Sequence, residues 1–440
     1  MLTKQEISAY QEARSVHSNK LCHAPFTNLY FNTEGHVAVC WLTFYNPVVY
    51  DESKSLKDIW LDVKFQSIRE HIGRNDLSKY CQTCEQHLKQ GNHVNVLAKA
   101  YDTAPADGDY PSIIEFELEN TCNLACTMCN GLLSSTIRKD REGKRPLKSP
   151  YGKKFREDLK EFIPHLSEAR FNGGEPFLIQ QYWPIWEDIM AINPSVKMTM
   201  ATNGSVLNNR VKDVLTRGNI HLNISMDGFS KETYESIRVG GNFDRLRKNL
   251  DYFIAFCAKH NRTLCIMVNP MRQNWWEMPD FVNWVNAQNI QIWFNSIIKP
   301  EDQSLWALDP EKLQEVYDTL MAATIQPKPA SCSQEVYEYN VSTYTNLIQN
   351  QIHNWLIEAR RREESPCDFL PSDKDFLSLI RQHLPPNHDF FKLFSHLKDE
   401  QKQALKKAIH QQNVVFSAAQ MKSMHEKELQ EAIDALVASK

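Results

Sequence analysis

Between residues 112 and 300 apolar and polar positions alternate in short runs, and amphipathic stretches separate the runs. Six runs read as strands: 113–118, 168–172, 196–202, 220–226, 263–268 and 290–295. Helical spacing dominates 152–163, 179–192, 206–217, 231–259 and 276–288. Strands that alternate with helices predict parallel βα units joined by right-handed crossovers. The stretch is short for the roughly 250 residues of an eight-unit barrel. An α/β fold is therefore expected, a partial (β/α)6 TIM-like barrel.

Period-two alternation within these strands adds a second expectation. In IHLNISMD, Ile220, Leu222, Ile224 and Met226 share one face, while His221, Asn223, Ser225 and Asp227 share the other. The polar set of the first strand is Glu115, Glu117 and Glu119; that of the third is Lys197, Thr199, Ala201 and Asn203. Parallel sheets are ordinarily apolar on both faces. Polar inner faces point to a lumen that holds a cofactor or substrate; polar strands at an exposed edge are the competing reading.

The flanks differ. Residues 1–101 hold strand-like runs at 28–31 and 36–42, then SLKDIWLDVKFQSIREHI, where Leu56, Ile59, Trp60, Val63 and Ile68 recur at helical spacing. The polar segment 102–111, with two prolines, reads as a linker. After residue 310 the chain is helical, charged and poor in glycine. Its tail from Asp399 is expected to form two helices that pack on the barrel or engage a partner. A three-part division into 1–101, 112–300 and 301–440 suits a chain of 440 residues.

Composition narrows the function classes. Apolar residues make up 42% and charged residues 24%, ordinary globular values that exclude disordered and fibrous chains. Lys+Arg minus Asp+Glu is 50 − 54 = −4, which argues against wholesale binding to nucleic acid or an anionic membrane. No apolar run approaches the roughly 18 residues of a membrane span, and the start lacks the apolar core of a secretory signal. A cytoplasmic protein is expected. In that compartment 11 cysteines favour metal binding or catalysis over disulfides.

Seven of those 11 cysteines fall before residue 130 in two patterned groups. Cys122, Cys126 and Cys129 follow the first strand as C-x3-C-x2-C. Three thiolates on one loop can hold three irons of a [4Fe–4S] cube and leave the fourth iron open to a small molecule. A zinc site would ordinarily require four ligands.

This segment resembles the radical SAM superfamily over about residues 112–300. Gly173-Gly174-Glu175-Pro176, closing the second strand, is similar to the motif with which that family binds the amino group of S-adenosylmethionine (SAM). By order along the chain, the resemblance implies SAM contacts at Asn203, Ser225 and Asp227, and a carboxylate contact at Arg238. Met128 takes the apolar slot that the family packs near adenine. The implied chemistry is reductive cleavage of SAM and hydrogen abstraction by a 5′-deoxyadenosyl radical.

The second group is Cys22, Cys40, Cys81 and Cys84, with Gly35 five residues before Cys40. Together with SLKDIW it resembles the SPASM/twitch auxiliary modules found with radical SAM enzymes. Four ligands suit one auxiliary [4Fe–4S] cluster with an electron-relay or structural role; a four-cysteine zinc site is the alternative.

Weaker signals remain. Residues 138–156 carry nine Lys/Arg against two Asp/Glu, a clamp for an acidic substrate or a solvated loop. Cys265 on the fifth strand is a candidate thiol hydrogen donor, with inert burial as the bland reading. Cys257, Cys332 and Cys367 have no partner spacing. The resemblance leans toward a peptide or protein substrate, with a sugar or nucleotide as the alternative and a flavodoxin- or ferredoxin-type reductant implied. A non-catalytic Fe–S sensor or nucleic-acid-binding protein is the reading from another class.

Overall fold

The computed structural model describes residues 2–14, 16, 18–43, 47–105, 108–364, 373–380, 384, 388–412 and 426–438. Cys367 lies outside the described residues. The chain divides into two compact units, Met1–Ile357 and Glu358–Lys440.

In the first unit the six expected strands all form, each starting within a residue of its predicted position. They are β4 (Ile113–Phe116), β5 (Glu168–Phe171), β6 (Lys197–Thr202), β7 (Ile220–Ser225), β8 (Leu264–Val268) and β9 (Gln291–Phe294). They pair in parallel and in sequence order. Met198, Met200, Ile220, Leu222, Ile224, Leu264 and Ile266 form one fully buried face. Thr199, Ala201, His221, Asn223, Ser225, Cys265 and Met267 are half-buried on the other. The alternation thus reports an inner face, and the edge-strand reading fails. This is an α/β partial barrel.

The sheet does not stop at the polar segment 102–111. β1 (Asn28–Phe31) pairs in parallel with β4, and β2 (His36–Ala38) and β3 (Val48–Val49) continue it antiparallel. Among the described residues nine strands therefore run in the order β3-β2-β1-β4-β5-β6-β7-β8-β9. The opposite edge is covered too. Fully buried Asn340, on the helix Gln334–Asn346, accepts from Ile292 N and donates to Ile290 O. An edge strand's free N–H and C=O groups are thereby satisfied.

Helices follow the strands, with one informative departure. The stretch 231–259 is two helices, Lys231–Ile237 and Phe243–Lys259. Gly240 adopts φ +85°, open to glycine but strained for other residues. The Asn242 side chain then caps the next helix by accepting from Arg245 N. This interruption frees backbone carbonyls that the site uses.

The second unit is helical. Asp373–Ile380, Asp389–His396, Asp399–Gln412 and Glu426–Ala438 surround Phe376, Ile380, Phe390, Phe394, Leu405, Leu429 and Ile433. Among the described residues no helix is long and apolar enough to cross a membrane.

Candidate active site and auxiliary cysteine centre

The loop after β4 is held on both sides by backbone hydrogen bonds. Ala125 N and Thr127 N donate to Val239 O and Ile237 O at 2.8 and 2.9 Å, the carbonyls freed by the helix break. Three hydroxyls fasten its ends: Ser135 and Thr136 donate to Cys122 O, and Ser134 to Leu124 O. Arg141, which the sequence singled out only as part of a basic run, donates to the carbonyls of Cys126 and Cys129. Cys122, Cys126 and Cys129 are thus set on a loop fastened at several points of its backbone.

Gly173 and Gly174 bring the end of β5 against this loop. Gly174 N donates to Glu119 O at 3.2 Å, and Glu175 N to Thr121 O at 2.8 Å. A Cβ at Gly174 would sit 2.1 Å from Thr121 O, so only glycine fits there. The close approach is therefore first of all to the cysteine loop's own backbone.

Glu175 is completely buried. Its carboxylate accepts from Thr202 Oγ1 at 2.7 Å, Asn203 N at 2.7 Å and Phe177 N at 3.3 Å. Burial pushes its pKa up to about 7 despite these donors. Such a carboxylate has affinity for a cation that would restore its charge. Asn203 also donates through Nδ2 to Asn123 Oδ1, beside Cys122, at 3.1 Å.

Asp227 and Arg238 form a buried pair, with Arg238 Nε donating to Asp227 Oδ2 at 2.6 Å. Asn269 N and Nδ2 occupy the other carboxylate oxygen, and Asn274 Nδ2 donates to Asp227 O. Asp227 therefore appears as the structural partner of Arg238, a role that its motif position alone did not indicate. Burial works against the Arg238 charge, but Asp227 and Cys126 outweigh it and raise its pKa. Arg238 in turn hydrogen-bonds Cys126, whose thiol burial otherwise pushes up. Burial raises the Cys122 pKa and lifts that of Cys129 to about 12. Three thiols that are costly to ionise alone suit an iron–sulfur cube, which binds them as thiolates. Met128 is half-buried in the same loop, and Ser225 ends β7 on the inner face.

Cys265 stands apart. It pairs in register with Asn223 and Gln291, one inward-facing position below Met267, which lies opposite Ser225. Burial raises its pKa to about 12, and its thiol contacts Met267 Sδ at 3.9 Å. His221 is lower still. Thr263 N donates to its Nδ1, and burial, Lys197 and Arg262 hold its pKa down to about 4.

The other four cysteines meet elsewhere. Cys22, Cys40, Cys81 and Cys84 line one small cavity, with Leu21, Leu88, Val96 and Tyr101 among its walls. Burial raises all four pKa values, that of Cys40 to about 12, and the mutual repulsion of the thiolates raises Cys22, Cys40 and Cys81 further. Among the described residues no three Cys, His, Asp or Glu side chains converge as a single ion requires. Zinc bonds sulfur at about 2.3 Å, a convergence that these thiols do not show. Tyr101, which sequence reasoning missed, forms the wall toward the barrel. Its hydroxyl donates to Glu115 Oε1 at 2.6 Å, and Glu115 faces Arg170 across 3.8 Å.

Two family models match the segments that hold the two cysteine groups. The Radical SAM superfamily model matches residues 117–285, and that of the SPASM iron–sulfur cluster-binding domain matches residues 22–85. The chain is 26% identical over 241 residues to GTP 3',8-cyclase from Limosilactobacillus fermentum, covering 53% of this chain and 68% of that protein. It is 23% identical over 261 residues to Molybdenum cofactor biosynthesis protein 1 from Dictyostelium discoideum, covering 57% and 40%. Among solved structures, Streptococcus suis SuiB bound to S-adenosylmethionine matches with 15% identity and TM-score 0.36, covering 63% of this chain and 64% of that one.

Proposed function

We propose that this chain, which belongs to the radical SAM superfamily and carries a SPASM-type iron–sulfur module, cleaves SAM reductively to abstract hydrogen from a small molecule of nucleotide or sugar type. The observation that carries the reading is the locking of the Cys122–Cys126–Cys129 loop against Gly174 and Glu175 by two backbone hydrogen bonds. When bound, the cluster and SAM supply a 5′-deoxyadenosyl radical that takes hydrogen from substrate. The chain's own residues do the rest. Cys122, Cys126 and Cys129 would hold the cluster, leaving one iron for SAM. Glu175 would bind its ammonium group, with Gly173, Gly174, Asn203, Ser225 and Met128 around the remainder. Arg238, fixed by Asp227, would place positive charge beside Cys126 and the SAM carboxylate.

The substrate class follows the relatives, whose names specify a GTP cyclase and molybdenum cofactor biosynthesis. The peptide or protein substrate expected from the auxiliary module has less support. Glu117, Asn223, Ser225 and Trp293 give the inner face both hydrogen-bonding edges and an aromatic surface. Cys265, set below that level, fits inert burial better than hydrogen donation. The proposal also keeps an auxiliary module over 1–101, a core over 112–300 and a helical region over 301–440, in a cytoplasmic setting. The reductant is of flavodoxin or ferredoxin type. Exposed Lys139, Arg141, Arg145 and Lys148 flank the cysteine loop, a surface for an acidic electron donor.

The test is anaerobic incubation of the reconstituted protein with SAM and dithionite. Release of 5′-deoxyadenosine is expected, with none from Cys122→Ala; no release from the iron-loaded wild type refutes the assignment. Deuterium transfer into that product from deuterated GTP, but not from deuterated peptides, is expected of the small-molecule reading. In Cys122→Ala/Cys126→Ala/Cys129→Ala about four irons should remain, whereas one zinc and no iron would refute the auxiliary cluster.

A further inference from the structure

We infer that Glu117, with the side-chain amides of Asn172 and Asn223 in the same row of the inner face, binds the donor edge of the substrate's base, so that a nucleotide enters base first. The inference rests on the nucleotide reading above and names the residues that would select the base.

Strand register divides the inner face into rows. In the lowest, Glu115, Arg170, Thr199 and His221 lie side by side on β4 to β7. Their polar groups are already engaged. Glu115 accepts from Tyr101 at 2.6 Å and from Asn28 Nδ2 at 2.8 Å, and Arg170 and Thr199 both donate to Glu168. His221 bonds Thr263. This row is a floor. Two residues further along each strand lie Glu117, Asn172, Ala201 and Asn223. Asn172 N donates to Phe116 O at 2.8 Å, which carries the ladder past β5, and Ala201 pairs with Asn223. Two residues further again stand Gly174, Asn203 and Ser225, given above to SAM. The middle row thus lies between the floor and the cofactor, where a substrate would meet the radical.

That row is open. Glu117, Asn172 and Asn223 are half-buried, and among the described residues neither amide side chain has a hydrogen-bond partner. Ala201 between them leaves the width of a longer side chain free. Glu117 packs beside the glycine turn, since a Cβ at Gly173 would lie 3.5 Å from its Cγ. Burial pushes its pKa up to about 7; Glu115 adds to the rise, Tyr30 opposes it, and no cation is among these neighbours. A carboxylate that is half-exposed and yet set so deep faces a void within the barrel. Lacking a counter-ion, it repels phosphate and only accepts hydrogen bonds. It therefore suits a neutral edge with adjacent N–H donors. Guanine presents one, N1–H beside an exocyclic amine, with a carbonyl next to it for an amide N–H of Asn172 or Asn223. Adenine sets an acceptor nitrogen beside its amine, which a carboxylate disfavours.

The test is calorimetric titration of the full reconstituted chain, with SAM present, by GTP and by inosine triphosphate, which lacks the exocyclic amine. Wild type should bind GTP roughly tenfold or more tightly, the effect of one hydrogen bond to a charged group. In Glu117→Gln, checked for wild-type iron content, that preference should collapse toward one, because the new amide N–H₂ faces a donor. A merely structural defect would weaken both nucleotides alike and keep the preference, which would overturn the assignment. Wild type that passes deuterium from GTP into 5′-deoxyadenosine but binds both nucleotides equally overturns this inference alone. Wild type that binds neither overturns the nucleotide reading, and this inference with it.

Discussion

Replacing Gly174 with alanine tests how the site is assembled, because the structure leaves the added methyl no space. The new Cβ would lie 2.1 Å from Thr121 O, 2.5 Å from Thr121 C and 2.8 Å from Asn120 C. All three atoms are backbone, so no rotamer change relieves the overlap. Restoring even a 3.0 Å contact requires a movement of 3.0 − 2.1 = 0.9 Å between the β5 end and the cysteine loop. Such a movement stretches the Glu175 N to Thr121 O bond from 2.8 Å beyond hydrogen-bonding range and weakens the 3.2 Å bond from Gly174 N to Glu119 O. Overpacking of this kind costs roughly 1–3 kcal/mol, and each lost hydrogen bond about 1 kcal/mol. Gly174→Ala should therefore lose about 2–4 kcal/mol of unfolding free energy in urea denaturation. Reconstituted protein should also bind less iron at the first centre and keep the second. Gly73→Ala is the control, because a Cβ at Gly73 meets nothing within 4 Å. A Gly174→Ala unfolding free energy within about 0.5 kcal/mol of wild type, with full iron at the first centre, would refute the reasoning.

Three further outcomes follow from buried groups. Glu175 has its folded-state pKa raised from the ordinary 4.5 to about 7, so the native state binds the extra proton between those values. Its contribution is complete below about pH 4.5 and is lost as pH rises to about 7, a change of roughly 3 kcal/mol. Glu175→Gln should flatten the loss of stability of the SAM-free protein between pH 5 and 7 by about that order, and an unchanged slope in urea titrations would count against it. Asp227→Ala leaves Arg238 buried without its counter-ion and should lower unfolding free energy by about 3–5 kcal/mol; a loss below about 1 kcal/mol would show that Asn269 or solvent compensates. Asn340→Ala orphans Ile292 N and Ile290 O at the edge strand. It should cost about 1–3 kcal/mol for each group left unsatisfied, with amide exchange accelerated first in β9.

Much of this protein was legible in one dimension because its determinants are local. Period-two alternation located the six strands β4 to β9, since a side chain's face depends only on its place in the pleat. The spacing C-x3-C-x2-C picks out the candidate first centre, because its three thiols lie on one short loop. The glycine pair before Glu175 was legible as part of a motif, but the backbone that Gly174 approaches was not. What the chain could not reveal by itself are contacts between residues far apart in sequence. Only the folded protein shows β1 joining β4 across the polar segment 102–111. It also decided that the stretch 231–259 breaks to lend its carbonyls to the cysteine loop, and that Arg238 is paired with Asp227. Tyr101 carries no motif, and its place beside the second group of cysteines comes from tertiary packing. A hydrogen bond or ion pair between distant segments exists only once the backbone has been folded around it, so spacing along the chain cannot record it.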